Sequence, residues 1–191
     1  MWHGPKPLEV ARYPYEWWKN SEEFFTAGEV LYNTQISSNK EMHTKYANKK
    51  FTPESIEAMR RSRMSTPIIF NLAFSCELLV KAILIKQDPK KWVPDQGSVK
   101  FGHDVYHLII DELGIELNEL ETKIAKRLSD YISYGKYPER TRPGNIQETL
   151  NDLFDYHPYV SWSMREYYEI ISSLRKKLRD RFMALLEKEN S

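Results

Sequence analysis

The stretch from Pro67 to Lys86 is almost wholly apolar, yet it carries one acid, Glu77, and one amine, Lys81, a single helical turn apart. A helix that is apolar nearly all round has to be enclosed by other elements. The run is too interrupted by Asn71, Ser75, Glu77 and Lys81 to read as a membrane span, so it predicts a buried core helix. On a helical wheel Glu77 falls between Phe70, Ala73, Phe74 and Leu84, with Asn71, Ser75 and Lys86 roughly opposite. A carboxylate and an ammonium therefore point into apolar surroundings. Unpaired burial of either costs several kcal/mol, so each needs a partner. Two readings stay open. Glu77 pairs with Lys81 or fastens the loop near Gly102-His103, or the two charges form a ligand-contacting pair in a cleft.

The rest of the chain predicts helices packed around that one. Prolines 5, 7 and 14 make residues 1–14 an irregular arm. From Tyr15 to about Gln35, Trp17, Trp18, Phe24, Phe25, Ala27, Val30 and Leu31 recur at helical spacing. Residues 36–52 are polar and lysine-rich and read as a loop, partly helical at most. Thr52-Pro53-Glu54 is a helix start, and Ser65-Thr66-Pro67 repeats the signal, giving either one helix kinked at Pro67 or a second beginning there. Asp88-Pro89 ends the core helix and opens a loop over 88–102. A short helix is expected over His103 to Leu113, stopped by Gly114, and another over Glu116 to Tyr134. Residues 135–145 are rich in turns, Ile146 to Tyr156 is a short helix, and His157-Pro158 breaks the chain. The last helix, Ser163 to Glu189, places Tyr167, Ile171, Leu174, Leu178, Phe182 and Leu185 at spacings of three and four. No stretch alternates as a strand does. The expectation is a single all-α domain over 1–191, an antiparallel bundle of four or five main helices with short extra ones.

Charge and cysteine content narrow the setting. The formal net charge is only +1, so any nucleic-acid contact has to be a local patch. Cys76 is the one cysteine and sits in the core helix, where it reads as a small hydrophobe. With no internal disulfide, no signal peptide and no membrane span expected, a cytoplasmic location is the default reading.

Several clusters are candidates for chemistry. His103, His107 and Asp111 stand four apart and share one face of a helix, but that face reads as solvated, with His103-Asp104 capping the helix, and no metal site is expected. Lys136, Arg140 and Arg142 interleave with Tyr134 and Tyr137, as in segments that hold phosphates and stack bases. The bland alternative is a loop whose tyrosines pack on the bundle. Arg60-Arg61-Ser62-Arg63 is a second basic cluster. Arg175, Lys176, Lys177, Arg179 and Arg181 are expected to fan over the outside of the last helix. No glycine-rich phosphate loop, metal-ligand cluster or nucleophile elbow is present, and no cofactor is expected.

The segment Phe70 to Leu84 with its Glu77 and Lys81, the Gly102-His103-Asp104 turn, Leu108, and Tyr134-Gly135-Lys136-Tyr137-Pro138 together resemble the HEPN (higher eukaryotes and prokaryotes nucleotide-binding) superfamily. The resemblance covers about residues 65–140. It implies a helical bundle, often a homodimer, that works in bacterial defence, toxin–antitoxin or RNA-processing settings. It implies RNA or nucleotide as ligand and, in some families, a nucleotidyltransferase-fold partner protein. On this basis Glu77, Lys81, His103, Lys136, Tyr137 and Arg140 are the expected ligand-binding residues. Many members are metal-independent ribonucleases with an arginine shortly before a histidine near the last helix. That pair is not found here: Arg140 and Arg142 stand far upstream of His157, and no histidine follows Arg165. Three functions follow as alternatives: a nucleotide- or RNA-associated binding module, a ribonuclease with a non-standard set drawn from His157, Arg140, Arg142 or Glu77, and a purely structural dimerisation domain.

Overall fold

A computed structural model describes residues 13–46, 52–61, 65–93, 101–136 and 164–188, apart from the side chains at 66, 130, 131 and 133–136. Among these residues the chain is helical and contains no strand. Four long helices carry the fold: α1 (Pro14–Glu41), α3 (Ser65–Gln87), α6 (Glu119–Lys136) and α7 (Met164–Glu187). Three shorter ones lie between them: α2 (Pro53–Arg61), α4 (Pro89–Trp92) and α5 (Val105–His107), the last running into a π-type turn over Leu108–Glu112.

Residue pairings give the helix directions. Along α1 and α3, Trp17 meets Lys81, Ser21 meets Ser75, Phe24 meets Phe74 and Gln35 meets Ser65, so the two run antiparallel. Trp18 meets Phe182 and Glu22 meets Arg175, so α7 is antiparallel to α1. Glu121 meets Lys177 and Arg127 meets Tyr167, so α6 is antiparallel to α7. The centre is α3, packed against α1, α6 and α7. This explains its composition. Ile68, Leu72, Cys76, Leu79, Ile83 and Ile85 are fully enclosed, although Pro67–Gln87 is by length and hydropathy apolar enough to cross a membrane. The other helices cover it instead, and 83% of that apolar window lies inside the fold. Of the polar edge expected at Asn71, Ser75 and Lys86, Asn71 and Lys86 remain partly exposed but Ser75 does not. Ser75 is fully buried, and its carbonyl accepts the Ser21 hydroxyl at 2.8 Å.

The largest departure from expectation is α1. The segment read as a loop from residue 36 stays α-helical to Glu41 and then makes a π-type turn over Met42–Tyr46. Its sequence is polar but holds no glycine or proline to stop a helix. Its inner side is covered: Gln35 and Ser38 are buried, the Gln35 amide donates to Ser65 Oγ, and Arg61 of α2 reaches Glu41. Pro67 neither kinks nor ends a helix; it sits in the first turn of α3, separate from α2. The helix expected from Glu116 begins at Glu119, because Asn118 caps it. Asn118 Oδ1 accepts from Glu121 N–H at 2.9 Å while Glu121 returns a carboxylate to Asn118 N–H at 3.0 Å. Gly114, at φ +62, turns the chain after the π-type turn.

Gly28 sets how closely α1 and α3 approach. A Cβ there would stand 2.7 Å from Leu72 Cδ2 and 3.0 Å from Leu72 Cγ, and Leu72 is fully buried with no room to withdraw. Gly28→Ala is expected to destabilise the protein by about 1–2 kcal/mol in urea unfolding, because overpacking outweighs the helix-propensity gain of up to about 1 kcal/mol. A variant as stable as wild type would mean that Leu72 yields.

Candidate functional site

In the middle of α3 and one turn beyond it, Glu77 and Lys81 lie on one face, as helical geometry requires. Glu77 is 0% and Lys81 5% exposed. The Lys81 ammonium donates to Glu77 Oε1, and His103 Nδ1 bonds the same oxygen at 2.9 Å. The third member comes from the Phe101–Asp104 turn, 26 residues further along the chain than Glu77 and beyond the short α4. Both partnerships foreseen for Glu77 therefore exist together.

Aromatic rings wall the amine. Lys81 Nζ stands 5.6 Å from the Trp17 ring centre and 5.5 Å from that of Phe101. Trp17 meets Phe101 edge-on, and Trp92 of α4 stacks on the other side of Phe101 at 5.3 Å. Ring faces attract a cation and exclude water, so they take the place of part of the ammonium's hydration shell. The carboxylate supplies the opposite charge, and the half-exposed imidazole links the pair to the surface. An imidazole oriented through Nδ1–H presents Nε2 as its proton-accepting nitrogen when neutral. The cluster thus joins a dry ion pair to a surface histidine.

The turn that carries His103 is itself anchored. Asp104 caps α5, accepting from His107 N–H at 3.0 Å and from the Ser129 hydroxyl of α6 at 3.3 Å. His103, His107 and Asp111 do not share a face as expected, because His103 precedes the cap and turns in to Glu77. His107 and Asp111 remain together as an exposed pair, and the hydrogen bond to Asp111, helped by the Asp104 charge, holds the His107 imidazole above its usual pKa. Among the described residues no three His, Cys, Asp or Glu side chains gather as a metal site would need. The buried Cys76 thiol is pushed up to about 12 by desolvation and has no thiolate at neutral pH.

Of the other expected site residues, position 136 is the last of α6 and stands two turns from Ser129 on one stripe, about 10 Å along the axis. Its backbone therefore ends on the side of α6 that holds the His103–Asp104 turn. Tyr137, Arg140, Arg142 and His157 lie outside the described residues, as do Arg63 and the short helix expected over 146–156.

Two ion pairs, each with one buried member, escaped the sequence reading. Arg175 does not join the outward basic fan: it is buried, stacks on Phe25 at 4.1 Å and meets Glu22 at 2.6 Å. The signal was present, since position 175 follows Ile171 by four and precedes Leu178 by three, in register with the core stripe. Glu121 is buried too. Desolvation raises its carboxyl, but Lys177 at 2.6 Å, the Asn118 N–H and the Ser173 hydroxyl outweigh it and hold the pKa below the usual range. Lys176 and Arg179 do face outward.

No protein-family model, curated protein or solved structure matches the chain.

Proposed function

We propose that this chain is a HEPN-like binding module that takes RNA or a nucleotide beside the His103–Asp104 turn, which joins Glu77 of α3 to Ser129 of α6 and from which α6 runs on to position 136. On this reading it works in a bacterial defence or toxin–antitoxin setting, with a second copy of itself or a nucleotidyltransferase-fold protein as partner. The observation that carries the proposal is the convergence of Glu77, Lys81 and His103. These residues come from two separate elements, and they are among those that carry the family resemblance.

Each part has a task that its chemistry suits. The Glu77–Lys81 pair is too enclosed to meet a phosphate directly. Its role is to hold the His103 ring and the Phe101 turn in place, so that the surface beside them is preorganised. His103 is the hydrogen-bonding group at the rim. Lys136, Tyr137, Arg140 and Arg142 follow from the end of α6 and supply cations for phosphates and a ring for a base.

The test is fluorescence anisotropy with a labelled single-stranded RNA of about 20 nucleotides, longer than one typical binding site. Replacing Lys136, Arg140 and Arg142 together by Ala should weaken binding at least about tenfold and flatten the log affinity–log salt slope by about 2–3. The circular dichroism spectrum should be unchanged. Equal affinity and slope in wild type and triple variant would refute the assignment.

A further inference from the structure

The polar stretch that ends α1, much of it expected as a loop, forms one wall of a cavity. Asn33, Ser37 and Glu41 make a row along the helix at steps of four, and Val30, Thr34 and Ser38 make the row beside it. The end of α2 brings Arg61 against both rows. The serines, threonine and asparagine are short, so space of about 420 Å³ is left between α1 and Arg61, open to solvent on its outer side. That volume falls towards the lower end of small-molecule sites, about 300–1,000 Å³. Of the basic cluster at the end of α2, Arg61 is the member that lines the cavity, and the RNA site makes no use of it.

The charges at the cavity are loosely held. Arg61 Nη2 stands 3.5 Å from Glu41 Oε2, and Lys45 Nζ stands 3.3 Å from Glu41 Oε1. Both exceed the usual length of a charge-assisted bond, about 2.7–2.9 Å. Two cations share one carboxylate, so a positive charge is left over. The Arg61 Nε–H is also buried with no hydrogen-bond partner among the described residues. A buried donor left unbonded carries a cost that a ligand's acceptor atom relieves. The Arg61 side chain as a whole is 42% exposed, so its guanidinium is within reach of the open space.

Each part of the lining suits a different part of one ligand. The Arg61 guanidinium presents a planar fork of donors that matches phosphate oxygens, and the exposed Ser37 hydroxyl and Asn33 amide add further donors. The Glu41 carboxylate only accepts, so it disfavours a bare anion and suits the hydroxyl groups of a sugar. The Thr34 hydroxyl is already bonded to the Val30 carbonyl at 2.8 Å. Thr34 and Val30 therefore offer methyl groups, against which the C–H face of a sugar packs. Among the described residues no aromatic side chain lines the cavity, so nothing there stacks a base. We infer that this cavity binds a small sugar phosphate, with its phosphate on Arg61 and its hydroxyl groups on Glu41. The inference does not depend on the RNA-binding proposal and uses none of its residues.

The test is an NMR titration of the isotope-labelled full chain with ribose 5-phosphate, followed through backbone amide shifts. The amides of Asn33, Ser37 and Ser38 should shift to saturation, with a dissociation constant of about 0.1–1 mM for a ligand this small. Inorganic phosphate should bind at least about fivefold more weakly, and ribose without phosphate should give no saturable shift up to about 10 mM. Arg61→Gln should weaken ribose 5-phosphate at least about tenfold, because the charged donor fork is lost. Ser37→Leu, which fills the cavity from an exposed position of α1, should abolish the saturable shifts. Both variants should keep the wild-type circular dichroism spectrum; if Arg61→Gln loses helicity, Ser37→Leu decides. No saturable shift in wild type would overturn the proposal. So would equal affinity for inorganic phosphate and ribose 5-phosphate, which makes the cavity an adventitious anion contact only, or wild-type affinity in either folded variant.

Discussion

Glu77→Ala should lower the unfolding free energy by about 3–5 kcal/mol, measured by urea unfolding followed through tryptophan fluorescence at neutral pH. The size of the effect comes from what is left behind. With the carboxylate gone, the Lys81 ammonium stays enclosed between Trp17 and Phe101 without a counter-charge. The ring faces compensate only a part, on the order of 1–2 kcal/mol. His103 loses its acceptor at the same time, but it is half-exposed and turns to water at little cost. A double variant separates the pair from its parts. Glu77→Leu with Lys81→Met removes both charges and restores apolar volume, so it should lie within about 1–2 kcal/mol of wild type, on either side. If Glu77→Ala loses less than about 1 kcal/mol, water reaches Lys81 and the dry pair described here does not exist.

The second large effect is expected at the contact between the first and last long helices. Phe182→Ala should cost about 3–5 kcal/mol, because Phe182 is fully buried and stacks on Trp18 of α1 at 6.1 Å. Its removal opens a cavity between α1, α3 and α7 that the rigid tryptophan cannot fill. The adjacent Met183 is 40% exposed, and Met183→Ala should change stability by about 0.5 kcal/mol or less. Equal losses at both positions would mean that α7 is turned about its axis relative to the arrangement described. The two measurements share one protocol and report on how α7 is turned about its axis.

Much of the fold was legible because helices declare their buried side through spacing. Ile171, Leu174, Leu178 and Phe182 form the inner stripe of α7 as their spacing requires. The α3 helix had to be central because it has almost no polar face to offer to water. Element ends were less legible. The extension of α1 through Glu41 depends on cover from α2 and from Ser65, and a window of polar sequence carries no trace of what will lie against it. Arg175 shows a related limit. Its register with Ile171 and Leu178 was visible, but charge normally argues for the surface, and only the presence of Glu22 and Phe25 on a helix far away in sequence makes its burial tolerable.

The candidate site divides in the same way. Two charges one turn apart in an apolar helix required a shared solution, and the chain's local chemistry was enough to pair Glu77 with Lys81. That pairing is a consequence of helix geometry, which acts over four residues. Which imidazole completes the cluster, which rings enclose the amine and which face of α1 remains uncovered depend on contacts between segments far apart in the chain. Those contacts exist only once the helices have packed, because burial energy is set by the surfaces that meet and not by the segment that carries them.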